Sequence, residues 1–205
     1  GATGLGVAVD AATRGLRTLL LEAHDFAKGT SSRSTKLIHG GVRYLAQGNF
    51  SLVRESLKER GLLLRNAPHV VHKTAFIVPF YNRWQKIWYG NGLRIYDRLA
   101  GKYGLGQSGV LSRDETIERL PEINKDGLHG GVLFYDGQFD DTRLLIDLAR
   151  TADEHGAALL NYAKVTAIRK NPFGKAVGVE FEDAESGEQF AVDAQAIINA
   201  TGAFC

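Results

Sequence analysis

The opening residues Gly1-Ala2-Thr3-Gly4-Leu5-Gly6 carry a spacing with chemical meaning. Gly1 and Gly4 stand apart like the second and third glycines of G-x-G-x-x-G, the turn where a backbone approaches a pyrophosphate. The first glycine of that fingerprint and its preceding strand do not stand in the sequence, which predicts a chain that starts inside the motif. Glu22 follows at the distance, about 20 residues on, where an acidic side chain accepts from ribose hydroxyls. A second group begins with Thr30-Ser31-Ser32-Arg33-Ser34-Thr35-Lys36 and runs into Leu37-Ile38-His39-Gly40-Gly41-Val42-Arg43-Tyr44-Leu45. Hydroxyls and backbone N–H groups beside a pyrophosphate neutralise it without a metal. Gly40 and Gly41 let the backbone lie against a flat ring. Taken alone, the half-motif also fits a plain βαβ turn with an incidental glutamate, and the hydroxyl run also fits a solvated loop or cap.

These groups need elements to hold them. Val7 and Val9, with Ala8, Ala11 and Ala12, predict a small-residue helix ended by Gly15. Arg17 to Leu21 read as a short buried strand that delivers Glu22 at its carboxyl end. A helix is expected over 49–67, with Ser51 as cap and Val53, Leu57, Gly61 and Leu64 as its stripe, stopped by Ala67-Pro68. Thr74 to Phe80 is strand-like, Thr116 to Leu120 a short helix, and Gly130 to Gly137 a strand and turn. Asp140-Asp141-Thr142 starts a helix whose buried stripe is Leu144, Leu145, Leu148, Ala149 and Ala152. Within Ala158 to Ile168 a strand is expected to end near Lys164-Val165. Ala176 to Glu182 and Gln189 to Val192 form a hairpin, and Ala196 to Gly202 a buried strand with a small-residue turn.

Trp84 to Tyr103 mixes aromatics with Arg83, Lys86, Arg94, Arg98 and Lys102. Two readings stay open for it, a membrane-surface helix and a partly buried helix with solvated charges. The chain has 205 residues, 44% of them hydrophobic and 23% charged, the composition of an ordinary globular protein. A net charge of +2 without a basic block argues against nucleic acid as the main partner. The single cysteine, Cys205, allows no disulfide within the chain, is read as packing, and suits a reducing compartment.

The run Gly-Thr-Ser-Ser-Arg-Ser-Thr-Lys-Leu-Ile-His-Gly-Gly-Val-Arg-Tyr-Leu over 29–45 resembles the signature of the FAD-dependent glycerol-3-phosphate dehydrogenases. These are respiratory, membrane-associated flavoenzymes related to the amino-acid-oxidase type. Tyr135-Asp136-Gly137-Gln138-Phe139-Asp140-Asp141-Thr142-Arg143-Leu144 is similar to the family's return to its FAD domain. Asn199-Ala200-Thr201-Gly202 resembles its Ala-Thr-Gly turn, although Ala203 and Phe204 stand where proline and tryptophan are usual. The resemblance implies an α/β fold, an FAD-binding Rossmann-like domain over 1–67 and 139–205 interrupted by a substrate-binding α+β domain at 68–138, truncated at both ends. It implies FAD contacts at Gly1, Gly4, Glu22, Ser31, Ser32, Lys36, His39, Gly40, Gly41, Val165, Ala200, Thr201 and Gly202.

The implied reaction oxidises sn-glycerol 3-phosphate to dihydroxyacetone phosphate and passes electrons through FAD to a membrane quinone. Removing a hydride from carbon needs a cofactor, because no side chain stores one. The substrate is a small dianion, so a positive charge is required near the flavin. Arg43 follows the glycine pair, its planar fork suits phosphate, and Tyr44 beside it can donate a hydrogen bond. His39 is the nearest candidate acid or base, or a hydrogen-bonding neighbour of the ring, and Lys36 a cofactor contact or a surface charge. The base and further phosphate ligands are expected beyond Cys205, so that these residues alone turn nothing over. An oxidase using oxygen and a non-catalytic flavin-binding module are the alternatives. A peripheral place on the cytoplasmic side of the inner membrane, a soluble cytoplasmic one, and a homodimer all stay open.

Overall fold

The computed structural model describes residues 1–45 and 47–204, so Cys205 lies outside the described residues. The helices in chain order are α1 (Ala2–Thr13), α2 (Val42–Leu45), α3 (Phe50–Asn66), α4 (Arg83–Ala100), α5 (Arg113–Arg119) and α6 (Asp141–Glu154). The strands are β1 (Leu19–Leu21), β2 (Leu37–Ile38), β3 (Val71–Phe80), β4 (Gly109–Leu111) and β5 (Gly130–Phe139), then β6 (Ala158–Leu160), β7 (Ala163–Lys170), β8 (Ala176–Asp183) and β9 (Gln189–Asp193). They sort into two compact units, one of Gly1–Thr35 with Asp141–Cys205, the other of Lys36–Asp140.

In the first unit β1 pairs in parallel with β6, Leu19 opposite Ala158. Helices α1 and α6 pack together through Leu5, Leu145 and Ala149 at one end and Ala8, Ala12 and Ala152 at the other, with Leu20 and Leu159 against both clusters. Alanines on both helices let the axes approach closely. Beside this pair, β7, β8 and β9 form an antiparallel meander, with a bulge between Val165 and Ala167.

Strand β5 is the spine of the second unit. It pairs with β3 along all of its length, Val71 opposite Phe139 and Phe80 opposite Gly130. Its other edge takes β4 at 131–133 and β2 at 137–138. Val53 and Leu57 of α3 and Leu93, Tyr96 and Ala100 of α4 cover the sheet over Phe80, Val132 and Phe134. The compact unit therefore opens at Lys36, whereas the sequence puts the insertion at 68–138, because α3 buries its stripe in this core.

Four local expectations need correction. Asn49, not Ser51, caps α3, its side chain accepting from Leu52 N at 3.3 Å. The short helix begins earlier, at Arg113, on a reciprocal cap between Ser112 and Glu115. No strand ends at Lys164-Val165: β6 stops at Leu160, Tyr162 turns the chain with φ of 55°, and β7 continues to Lys170. Residues 196–200 form no strand, and Ile198 is 64% exposed, since no described strand pairs with them and an apolar run needs a ladder to be held extended.

Replacing Leu145, 2% exposed between α6 and α1, by Ala in the full-length protein should cost about 2–5 kcal/mol through lost burial and a residual cavity. Leu16→Ala, at a side chain 61% exposed, should change stability by less than about 0.5 kcal/mol. Thermal unfolding of both variants checks this, and equal melting temperatures would contradict the packing.

Candidate functional site

In the first unit the α1 N-terminus collects the polar groups. Ser31 Oγ accepts from Ala2 N at 3.0 Å, so the hydroxyl loop is bound back onto the helix start. The first intrahelical bond runs from Leu5 N to Gly1 O, which places the Thr3 and Gly4 amides ahead of it. Glu22 leaves β1 with its amide donating to Leu160 O and its carbonyl accepting from Ala163 N. Its carboxylate accepts from His24 N at 3.1 Å and reaches Gly1 N at 3.4 Å. A Cβ on Gly1 would meet Ser31 Oγ at 3.1 Å, and one on Gly4 would meet the Ala200 Cβ at 3.5 Å. Gly1, Gly4, Glu22, Ser31 and Ala200 are thus brought together. Bare backbone, helix amides and one acidic acceptor fit a nucleotide's phosphates and ribose.

Other members of the predicted set have local roles. Ser32 Oγ donates to Gly29 O at 3.3 Å. Ser34 Oγ donates to Asp141 Oδ2 at 2.9 Å, so this hydroxyl serves the start of α6, where Asp141 is buried. Thr201 turns its amide and hydroxyl to Asn199 Oδ1, at 3.1 and 2.8 Å, and Gly202 beside it is exposed. Val165 is 43% exposed on β7 opposite Phe181.

In the second unit, Lys36 to Tyr44 form a strand, a tight turn and a single helical turn. Lys36 sits at φ of 58°, and its carbonyl accepts from Phe139 N at 3.0 Å, which pins the start of β2 to the end of β5. His39 is exposed, while Gly40 and Gly41 after it are buried. Gly41 N donates to His39 Nδ1 at 3.1 Å, so a neutral His39 ring carries its proton on Nε2. Gly41 adopts φ of 70°, left-handed backbone that glycine reaches without strain. Its carbonyl accepts from Tyr44 N at 2.8 Å, and the Tyr44 ring packs on it. Arg43 is exposed on α2, and among the described residues no hydrogen bond or ion pair holds its guanidinium.

Gly40 is held by groups that sequence reasoning missed. Gly40 N donates to the Tyr96 hydroxyl at 2.8 Å, and that hydroxyl donates to Asp136 Oδ2 at 2.9 Å. Asp136 Oδ1 accepts from Arg60 Nη1 at 2.7 Å. Arg60 also donates to the carbonyls of Tyr135 and Tyr103, both at 3.3 Å, and its guanidinium lies 5.7 Å from the centre of the Tyr96 ring. All three side chains are buried. Burial first, and then the Asp136 charge, push the Tyr96 phenol far above its ordinary range, so it stays protonated. A signal was present: Arg60 falls three residues after Leu57 on the stripe of α3, and Asp136 interrupts the apolar run of β5.

A family model described as FAD dependent oxidoreductase matches residues 1–205. The chain is similar to the "Probable glycerol-3-phosphate dehydrogenase, mitochondrial" of Caenorhabditis elegans, 43% identical over 211 residues, covering 100% of this chain and 29% of that protein. It is 43% identical over 212 residues to the "Glycerol-3-phosphate dehydrogenase, mitochondrial" of Saccharomyces cerevisiae, covering 100% of this chain and 33% of the relative. Among solved structures, the glycerol-3-phosphate dehydrogenase from Bacillus halodurans complexed with FAD matches with a TM-score of 0.71 and 33% identity, over 95% of this chain and 31% of that one. The chain spans about a third of the length of these proteins.

A Cβ at Gly40 would collide with Leu57 and the Tyr96 hydroxyl. Gly40→Ala should therefore destabilise the full-length protein by about 1–3 kcal/mol through overpacking. Gly92→Ala, inside α4 with nothing within 4 Å, should stabilise it by about 0.5–1 kcal/mol. Melting temperatures that move the same way for both would contradict the tight seat of Gly40.

Proposed function

Because the chain belongs to the FAD dependent oxidoreductase family, we propose that its protein oxidises sn-glycerol 3-phosphate to dihydroxyacetone phosphate. The observation that carries this reading is Arg43, an exposed guanidinium three residues after the clamped Gly40 and adjoining Tyr44. The relatives, glycerol-3-phosphate dehydrogenases by name, support the same substrate. Bound FAD supplies the hydride acceptor that the side chains lack.

The chain's own residues divide the remaining work. Gly1, Gly4 and Ser31 offer the pyrophosphate a bare backbone and helix amides, and Glu22 offers the adenosine ribose an acceptor. Ser32, Lys36, Val165, Ala200, Thr201 and Gly202 complete the proposed cofactor contacts. Gly40 and Gly41 let the flavin ring approach the main chain. His39, whose Nδ1 is already an acceptor for Gly41, is assigned a donor's role through Nε2–H, and the general base is another group. Arg43 binds the substrate phosphate with its two-pronged fork, assisted by the Tyr44 hydroxyl.

Electrons leave to a membrane quinone, which requires contact with a bilayer surface. Support comes from α4, where Trp84 is 80% and Trp88 68% exposed on the same stretch as the exposed Arg83 and Lys86. Among the described residues no helix is long and apolar enough to cross a membrane. Peripheral attachment on the cytoplasmic side of the inner membrane is the placement proposed.

Three experiments on the full-length protein test the assignment. Anaerobic glycerol 3-phosphate should bleach the visible flavin bands. Arg43→Ala should keep the flavin spectrum and lose far more activity on glycerol 3-phosphate than on glycerol, with Arg43→Lys between them, because phosphate binding energy orients the remote reacting carbon. An equal loss on both substrates would place Arg43 on the flavin or the fold instead. Glu22→Gln should weaken FAD retention by about 1.5–3 kcal/mol, the worth of a charged hydrogen bond, and leave the rate of flavin reduction unchanged. Unchanged retention with slower reduction would remove Glu22 from the ribose.

A further inference from the structure

We propose that Tyr96 is a positioning residue for the His39-Gly40-Gly41 turn, fixing through its hydroxyl the face that the turn presents to a flavin ring. The inference rests on the flavin reading above and adds a residue that itself touches neither cofactor nor substrate.

The direction of each hydrogen bond carries the argument. A phenol has one proton to give. Asp136 is acceptor-only as a carboxylate, and its Oδ2 lies 2.9 Å from the Tyr96 hydroxyl, so that proton goes to Asp136. The remaining lone pairs of the hydroxyl can only accept, and Gly40 N–H lies 2.8 Å away. Arg60 on the other carboxylate oxygen, at 2.7 Å, holds Asp136 in place. Both arms therefore converge on Asp136, Arg60 from one side and Gly40 N–H through the Tyr96 hydroxyl from the other, and the second arm starts on one backbone amide. In a trans peptide the N–H and the preceding carbonyl point in opposite directions, and among the described residues no peptide is cis. Directing Gly40 N–H into the core thus directs the His39 carbonyl away from it, as an acceptor toward the exposed side of the turn.

Among the described residues no other hydrogen bond holds the His39–Gly40 peptide. Gly40 has no side chain to anchor it, and a left-handed Gly41 next to it is compatible with more than one orientation of the preceding peptide. The remaining local bonds, Gly41 N to His39 Nδ1 and Tyr44 N to Gly41 O, lie on the following peptides.

The test uses the full-length holoprotein with Tyr96→Phe, and with 3-fluorotyrosine at position 96 as a milder change that keeps the ring and the hydroxyl. Losing the acceptor leaves a buried amide unsatisfied, a penalty that the turn can escape by rotating. Tyr96→Phe should retain FAD, shift the flavin's visible bands and its midpoint potential, and lower kcat about tenfold with KM for glycerol 3-phosphate within about twofold. In the flavin-free protein, hydrogen exchange over 37–44 should speed up. The 3-fluorotyrosine protein should fall between the two in each readout. A lower melting temperature with unchanged bands, potential, kcat and exchange would make Tyr96 structural only and overturn the proposal. If Tyr96→Phe does not fold, unchanged bands and kcat in the 3-fluorotyrosine protein overturn it equally. Should the unaltered protein hold FAD that glycerol 3-phosphate fails to bleach, the substrate reading falls alone, and the bands, potential and exchange still decide the role of Tyr96.

Discussion

One buried carboxylate constrains the second unit. Asp136 sits on the central strand, and both of its oxygens must be satisfied from elements far away in sequence, Arg60 on α3 and Tyr96 on α4. A buried ion pair adds little net stability over an apolar pair, yet breaking one costs about 3–5 kcal/mol because a charge is left without a partner. The pair therefore acts as a register pin. Helices α3 and α4 can slide neither along β5 nor past each other without stranding Asp136. The apolar contacts of Val53, Leu57, Leu93 and Phe134 tolerate small shifts far better.

The same pin reaches the functional turn through one further bond, so rigidity of the core becomes rigidity of a loop. The first unit solves its problem differently. There the α1 start is dressed by short-range polar groups, Ser31 on Ala2 N and Glu22 beside Gly1, while Ser34 anchors the loop end to Asp141. Alanine packing between α1 and α6 sets the frame there.

Much of the frame was legible because it is periodic. The stripes of α1, α3 and α6, the alternation of β8 and β9, and the glycine and hydroxyl runs all announce themselves within a few residues. What escaped depends on partners distant in the chain. Tyr96 reads as one more aromatic in an aromatic–basic helix until Asp136 and Gly40 are seen on either side of its hydroxyl. Residues 196–200 carry a strand's composition, yet composition supplies no neighbour to pair with. The true caps at Asn49 and Ser112 were missed because several side chains near each helix start can accept, and local geometry selects one. Ser34 shows the limit from the other side, since a hydroxyl in a phosphate-like run is spent on a helix start.

The order in which the chain emerges during synthesis meets the discontinuity of the first unit. Helix α1 and strand β1 are made before their partners α6 and β6, which follow only after all of Lys36–Asp140. Until then Leu5, Ala8 and Leu20 lack Leu145, Ala149, Ala152 and Leu159, which complete their clusters. The intervening unit holds its own two ends together, Lys36 O to Phe139 N and Leu37 opposite Gln138. It can close on itself while the nascent opening segment waits, and its closure brings residue 35 and residue 141 to neighbouring points of emergence. A long, floppy detour is thereby converted into a short loop for the late-made helix.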